Sequence, residues 1–372
     1  MRSFLAAVLF CLAAGGIARA GDGVPALDQL PAGRWVMIHQ QQPEDAVAFL
    51  RQKHGGSAFD SKRGRLVLFG SDTHSRDDWT NSPLIFDLES LSWSRLYPDD
   101  ERRSYRVSAD GLPVAGPNGT HPWAMHTYGA VTYDPAADAL VVASLPKHME
   151  PGRFTNALAA VWPEVRRHPT WILDLASGRW RALDAAPVHF FPRATAFDPK
   201  RGRTLGLRGD GVHGLSLAEG RWRRLGDGGL LGWGNNVAYD AGNDTLVAFG
   251  SHKWGNEVVV FEPSAGRAQV RTTPGLRPPG AKYPPMAYHP GLGRTVVLVD
   301  RHPDPDKKSR RTARAETWLY DAAADAWTQV EGAELPFGVA MNYNLEYDPG
   351  RDLLLLVADP PGEAVAVWAL KL

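Results

Sequence analysis

The sequence predicts an all-β protein built from six copies of one four-stranded unit, and three observations support this prediction. Glycine and proline are abundant, with 38 and 29 residues in a chain of 372, which indicates many turns and few long helices. A strand, a tight turn and a second strand recur six times along the chain. The second strand is almost continuously apolar, which is typical of a strand buried on both faces.

The first strand of each copy ends at a turn residue that is an aspartate in five copies of the six. These residues are Asp60, Asp134, Asp198, Asp240, His289 and Asp348. Two further strands complete each unit, and the fourth carries a tryptophan in most copies. We expect these tryptophans, together with Trp35 near the N-terminus, to pack between neighbouring units: Trp93, Trp180, Trp222 and Trp327.

The sixth copy carries three strands, and segment 32–38 is predicted to supply its fourth. Pairing this N-terminal strand with the last copy would close the six units into a ring and remove exposed sheet edges. The expected units are 54–97, 126–183, 189–225, 233–271, 283–330 and 339–372 with strand 32–38, all within one domain, 21–372.

The repeat resembles the kelch repeat over essentially the whole of 21–372. The resemblance rests on the order of strand, turn, apolar strand, aromatic–Asp strand and tryptophan strand, with Phe86-Asp87 and Tyr320-Asp321 as examples of the third. The kelch double glycine is replaced, for instance by Gly70-Ser71. The resemblance implies a six-bladed kelch-type β-propeller, each four-stranded unit being one blade. A β-sandwich or a two-domain all-β chain is the alternative.

Residues 1–20 are predicted to be a secretory signal peptide. Arg2 precedes an apolar run over 4–12, and Ala18-Arg19-Ala20 is a small-x-small cleavage site. An N-terminal membrane anchor is the alternative. The single cysteine, Cys11, lies within this segment, so the mature chain would hold no disulfide and no thiolate ligand. We therefore expect a secreted or periplasmic monomer with no membrane span in the mature chain.

Charge excludes one class of partner and favours another. The chain has 41 basic and 41 acidic residues, whereas a dedicated nucleic-acid-binding protein is normally basic. Three segments exceed the repeat length, 98–125, 146–170 and 302–315, and together they hold twelve basic and eight acidic residues. Because insertions on one face of a repeat array often build its binding face, we expect an acidic polysaccharide or another anionic ligand there. A merely solvated charged surface is the alternative.

In a four-stranded blade, the segment before the first strand and the segment after the second strand lie at the same end, which we call the top face. Eleven of the twelve histidines map to it, and the exception is His289. The candidate catalytic residues are His126, His148, His189, His213, Tyr128 and Arg193. The candidate substrate-binding residues are His54, His74, Asn235, Asn236, His252, Lys253, Trp254, Tyr283, Arg301, His302 and Asn344.

The cofactor cannot be named from the sequence, but His148, His189 and His213 are candidate ligands for Zn²⁺, Mn²⁺ or Cu²⁺. Asp72 is a further top-face residue, and Tyr128 occupies the same repeat position as His54 and Tyr283. Five tryptophans in or beside top-face loops are candidate sugar platforms: Trp79, Trp123, Trp162, Trp233 and Trp254. The alternative for the histidines is a set of hydrogen-bonding spacers between loops.

Histidine, tyrosine and arginine on a cation-rich face suit proton abstraction beside a carboxylate. We therefore predict an exported carbohydrate-active propeller, specifically a polysaccharide lyase acting on uronate glycans. This prediction also draws on analogy with lyases of similar fold. Two alternatives are a non-catalytic secreted protein that binds a glycan or protein, and a metal-dependent oxidase or hydrolase.

Overall fold

The computed structural model describes residues 26–42, 54–74, 79–183, 187–229, 232–301, 314–339, 343–360 and 363–372. The predicted signal peptide, His302 and most of the third long segment lie outside these residues. The described chain is all-β, with short 3₁₀ turns at Leu27–Gln29, Arg102–Ser104, Lys147–Met149 and Trp162–Glu164.

The strands follow the repeat from beginning to end. In chain order, they are β1 (Trp35–Gln40), β2 (Gly56–Asp60), β3 (Arg65–Phe69), β4 (Leu84–Asp87), β5 (Ser92–Arg95), β6 (Arg106–Val107), β7 (Pro113–Ala115), β8 (His121–Pro122), β9 (Val131–Asp134), β10 (Ala139–Val142), β11 (Thr170–Asp174), β12 (Arg179–Leu183), β13 (Thr195–Asp198) and β14 (Arg203–Arg208). They continue as β15 (Gly211–Ser216), β16 (Arg221–Gly226), β17 (Asn236–Asp240), β18 (Thr245–Phe249), β19 (Val258–Glu262), β20 (Arg267–Arg271), β21 (Met286–His289), β22 (Arg294–Asp300), β23 (Ala315–Asp321), β24 (Ala326–Gln329), β25 (Asn344–Asp348), β26 (Leu353–Ala358) and β27 (Ala366–Leu370).

These strands form six four-stranded antiparallel sheets in the described chain. The innermost strands contact one another in the cycle β2, β9, β13, β17, β21, β25 and back to β2, so the sheets form a closed ring. The predicted six-bladed propeller is thereby confirmed. Strands β6, β7 and β8 form a separate three-stranded sheet within the first long segment.

The N-terminal strand closes the last blade, as predicted. Strand β1 pairs antiparallel with β27, with Trp35 opposite Leu370 and Met37 opposite Trp368. The sheet order β1-β27-β26-β25 makes the N-terminal strand the outermost of blade 6. Closure therefore joins the two ends of the repeat array through a full strand pair.

The blade tryptophans pack between neighbouring blades, which confirms the prediction. Trp222 in blade 3 donates its indole N–H to Thr170 in blade 2 over 2.8 Å. Trp35 in blade 6 donates in the same way to Thr317 in blade 5 over 3.0 Å. Both rings are buried, so each satisfies its polar atom while it fills the interface between blades.

Ion pairs connect blades at the face opposite the top. Arg63 Nη1 donates to Asp60 in its own blade over 2.9 Å, and Arg63 Nη2 donates to Asp138 in the next blade over 2.8 Å. Arg201 makes the equivalent contacts between blades 3 and 4, with Asp244 as its partner at 2.8 Å. The charged turn residues of the bottom face are thus used to hold the ring together.

A cavity of about 480 Å³ runs through the centre of the ring. Its lining includes five polar residues and one carboxylic acid: Ser57, Thr132, Thr195, Asn236, Asn344 and Glu346. Glu346 accepts a 2.7 Å hydrogen bond from the Ser57 hydroxyl, and burial raises the pKa of Glu346 to about 7. Asn236 and Asn344, predicted as substrate-binding residues, therefore line the central channel.

The channel carboxyl makes stability depend on pH. The folded-state pKa of Glu346 lies above its ordinary value of 4.5. Between pH 4.5 and about pH 7, the folded protein therefore keeps a proton on Glu346 that the unfolded chain has lost. The free energy of unfolding should fall as pH rises from about 4.5 to about 7 and stay lower above it, by about 3 kcal/mol. Glu346→Gln should remove this loss in urea titrations at acidic and alkaline pH.

The exposed Glu331→Gln is the matched control, and it should leave the pH profile of the wild type unchanged. Parallel pH profiles for the wild type and Glu346→Gln would contradict the assignment of this pH dependence to the channel carboxyl.

Candidate functional site

One repeat position directly before the first strand has a left-handed backbone in four blades. The residues are His54, Tyr128, Gly234 and Tyr283, with φ of 64°, 48°, 84° and 52°. Glycine adopts this conformation without strain, whereas each larger residue pays about 1 kcal/mol or more. Three ring-bearing residues therefore share this left-handed backbone conformation at one repeat position on the top face.

The two tyrosines meet across the mouth of the channel. Tyr128 enters blade 2 and Tyr283 enters blade 5, which lie on opposite sides of the six-bladed ring, yet their rings stack with centroids 5.4 Å apart. Tyr283 is buried, and burial raises its pKa. Burial also raises the pKa of Tyr128, to about 12, so both phenols keep their protons at neutral pH.

Beside this pair, blades 1 and 2 bring four potential ligands together. His54, Asp72, His74 and His126 each offer one ligand atom, and these atoms lie within 4.8 Å of one another. We call this set the His/Asp cluster. His54 and His126 enter the first strands of blades 1 and 2, and their rings stack 4.2 Å apart at 8°. Asp72 and His74 follow β3, so two top-face segments of blade 1 meet one of blade 2.

Hydrogen bonds within the cluster indicate which nitrogens carry lone pairs. The backbone N–H of Thr73 donates to His126 Nε2 over 3.2 Å, so this nitrogen accepts. His148 Nδ1 lies 3.1 Å from the same nitrogen, and a metal ion bound to that lone pair would displace both contacts. Asp72 Oδ1 lies 2.8 Å from His74 Nδ1, which orients the His74 ring as a carboxylate orients a metal-ligating imidazole.

The second ring nitrogen of His74, Nε2, is in a position to bind a ligand. His74 Nε2 is a buried atom without a hydrogen-bond partner among the described residues. A buried acceptor without a partner is costly unless a donor or a cation reaches it. With Asp72 on its other nitrogen, His74 has the arrangement of a ligand supported from behind.

Burial keeps the central imidazoles uncharged. It lowers the pKa of His126, and the neighbouring His54 and His148 add to this effect. Burial, with His74 and Arg153 next in importance, lowers the pKa of His148 to about 3. Neutral imidazole is the form that binds metal, and three imidazoles with one carboxylate suit Zn²⁺, Mn²⁺ or Cu²⁺. The His/Asp cluster could therefore hold a divalent ion.

The structure does not bring the predicted ligands His148, His189 and His213 together as one group. Only His148 reaches the cluster. The ring of His189 lies 6.0 Å from His168, and His213 Nε2 lies 3.3 Å from Asp210. Within the described ranges, the His/Asp cluster is the one group of this kind. Burial still lowers the pKa of His189 to about 4 and that of His213, so both imidazoles are neutral at neutral pH.

Three other predicted residues make structural contacts. Arg193 donates to the backbone carbonyl of Gly232, and Asn235 Nδ2 donates to the same oxygen over 3.0 Å. Arg301 pairs with Glu316 at 2.7 Å and also with Glu334. Arg193 and Asn235 thus shape the segment before blade 4, and Arg301 is held by two carboxylates of blade 5 and its following turn.

A second group of predicted residues surrounds Trp233, on the segment before blade 4. The His252 ring stacks on Trp233 at 4.9 Å and 8°. The Lys282 ammonium lies 4.4 Å from the Trp233 ring centroid. Lys253 and Trp254 follow His252 in the same turn, where Trp254 has a φ of 58°. Trp233 keeps 41% of its surface exposed.

The other predicted sugar platforms need correction. Trp79 and Trp123 are buried at 5% and 0% exposure, in a small core that the first two long segments build together, against which Trp162 packs. These rings therefore stabilise the insertions. Several cations of the same segments are also used internally, because Arg106, Arg166 and Arg167 donate to backbone carbonyl groups of the first segment.

Two residues matter more than the sequence indicated. Asp72 was visible as a top-face residue, and its Asp-x-His spacing to His74 is the signal that could have assigned it to a metal cluster. Phe154 had no such signal. Its ring lies 4.1 Å from His74 and 4.8 Å from His148, and it is 50% exposed.

No protein-family model matches the chain, and no curated protein matches it either. Among the described residues, no helix has the length and apolar character needed to cross a membrane.

Proposed function

We propose that this chain is an exported, metal-dependent polysaccharide lyase that acts on uronate glycans from a kelch-type propeller. The observation that carries the proposal is the His/Asp cluster, which lies beside a neutral histidine, His148, and a protonated tyrosine, Tyr128. The N-terminal sequence supports export. The order of strands along the repeat supports the kelch assignment.

The reaction needs three groups, and the top face offers each of them. The His/Asp cluster would hold a divalent ion, whose charge would neutralise the uronate carboxylate and make the neighbouring C5 proton more acidic. A base removes that proton, the C5–H electron pair forms the C4=C5 double bond, and the C4–O bond breaks. An acid gives a proton to the departing oxygen, so the products are an unsaturated uronide and a shortened chain.

We assign the base role to His148 and the acid role to Tyr128. His148 is neutral and contacts His126 of the cluster at 3.1 Å, while the Tyr128 hydroxyl lies 3.5 Å from His126 Nδ1. A pKa of about 3 makes His148 a weak base. With so weak a base, removal of the C5 proton by His148 would depend strictly on an ion held by the cluster.

The direct test is elimination by the purified mature protein. With acidic polysaccharides and Mn²⁺ or Zn²⁺, near-UV absorbance of the unsaturated product should rise, and a chelator should stop it. His74→Ala and Tyr128→Phe should each lower kcat/KM by about a hundredfold or more. His121→Gln is the control, because His121 pairs with Asp100 outside the cluster.

Absence of new absorbance across a panel of polyuronates would contradict the lyase assignment. Retained binding of the same polymers would then favour the non-catalytic glycan-binding alternative.

Metal binding can be tested without activity. Asp72→Asn should weaken Mn²⁺ or Zn²⁺ binding by about tenfold to a hundredfold in calorimetric titrations, because the carboxylate would no longer support His74. Asp210→Asn is the matched control, since Asp210 forms the equivalent carboxylate–imidazole contact with His213 in blade 3. Equal affinities of the wild type and Asp72→Asn would contradict the proposed cluster.

A further inference from the structure

Aromatic rings continue from the His/Asp cluster in both directions across the top face. Phe154 lies 4.1 Å from His74, and His74 lies 4.8 Å from His126. On the other side, His126 lies 5.8 Å from Tyr128, Tyr128 lies 5.4 Å from Tyr283, and Tyr283 lies 6.2 Å from Trp233, all measured between ring centroids. We call these six rings the aromatic row. It extends from the second long segment to the segment before blade 4.

The two ends of the row are the exposed ones. Phe154 is 50% exposed and Trp233 is 41% exposed, and among the described residues they are the two large aromatic side chains with that degree of exposure. Because Tyr283 is buried, its ring packs against Tyr128 and Trp233 and is not itself exposed to a ligand. Exposed aromatic surface at both ends of a row that passes a catalytic cluster indicates contact with an extended ligand.

Cationic side chains accompany the row. Arg153 precedes Phe154 in sequence, keeps 42% of its side chain exposed, and is close enough to influence the pKa of both His148 and Tyr128. At the other end, the Lys282 ammonium lies 4.4 Å from the Trp233 ring and 5.9 Å from the Tyr283 ring. Aromatic faces with a cation near each end suit a chain of sugars in which each unit carries a carboxylate.

We propose that the aromatic row is an extended binding site for an anionic glycan chain, which crosses the His/Asp cluster with sugar units bound on both sides. The identity of the ligand as a polyuronate rests on the proposed function. The arm toward Trp233 contains three ring-to-ring steps beyond His126, and the arm toward Phe154 contains two. Because the His/Asp cluster lies inside the row, we predict cleavage within the glycan chain, with oligosaccharides as the first products.

Binding by calorimetry tests this site apart from catalysis. The Tyr128→Phe variant keeps the ring and the metal cluster while slowing turnover, so we would titrate it with oligouronates from disaccharide to octasaccharide in the presence of Mn²⁺. Affinity should rise with length and then level off. Trp233→Ala or Lys282→Gln, each added to Tyr128→Phe, should remove about a tenfold gain for long chains and leave the disaccharide unaffected.

Two controls accompany this experiment. Leu292→Ala removes exposed apolar surface at a bottom turn and should change nothing, and Trp233→Phe should restore most of the lost affinity. Neutral oligosaccharides of equal length should bind more weakly than the oligouronates, because they lack the carboxylates that the cations recognise.

The outcomes separate the two proposals. Affinity that does not depend on length, or that Trp233→Ala leaves unchanged, overturns the extended site even if the wild type is a lyase. Length-dependent binding that Trp233→Ala removes supports the extended site even if no elimination occurs. In an active wild type, release of monomeric or dimeric products from the outset would overturn internal cleavage.

Discussion

Closure of the ring is the constraint on which the rest of the molecule depends. Strand β1 pairs with β27, and the six innermost strands then contact one another in a complete cycle. A closed ring leaves only the outermost strand of each blade with an unpaired edge, and it fixes the angle between neighbouring blades. As a result, segments that are far apart in sequence begin their blades at one narrow opening. The stacking of Tyr128 on Tyr283 across the channel is a direct consequence.

The two faces of the ring divide stability and chemistry between them. At the bottom, Arg63 and Arg201 join neighbouring blades through paired aspartates. At the top, His54, Tyr128 and Tyr283 hold left-handed backbone conformations, and His74 Nε2 is buried without a partner among the described residues. A rigid scaffold that brings such side chains to one opening is a suitable frame for a binding site.

The repeat made the fold predictable, because turn aspartates, apolar second strands and blade tryptophans are local signals. The top face could be predicted for the same reason. Distances between side chains of different blades could not be predicted, because they depend on the tilt of each blade and on the orientation of each side chain. His148 therefore reaches His126, whereas His189 and His213 have other neighbours. Trp79 and Trp123 were misjudged because two insertions fold together into a core that neither one predicts alone.

The central claim is that blades 1 and 2, packed side by side in the ring, assemble a metal centre from His54, Asp72, His74 and His126. Anomalous diffraction from crystals grown with Mn²⁺ or Zn²⁺, collected on both sides of the absorption edge, tests it most directly. The account predicts one strong peak bonded to imidazole nitrogens of this cluster, with Asp72 still on His74 Nδ1 and metal–ligand distances of about 2.0–2.2 Å for Zn²⁺. A peak at His168 and His189, or an empty cluster at saturating metal, would contradict it.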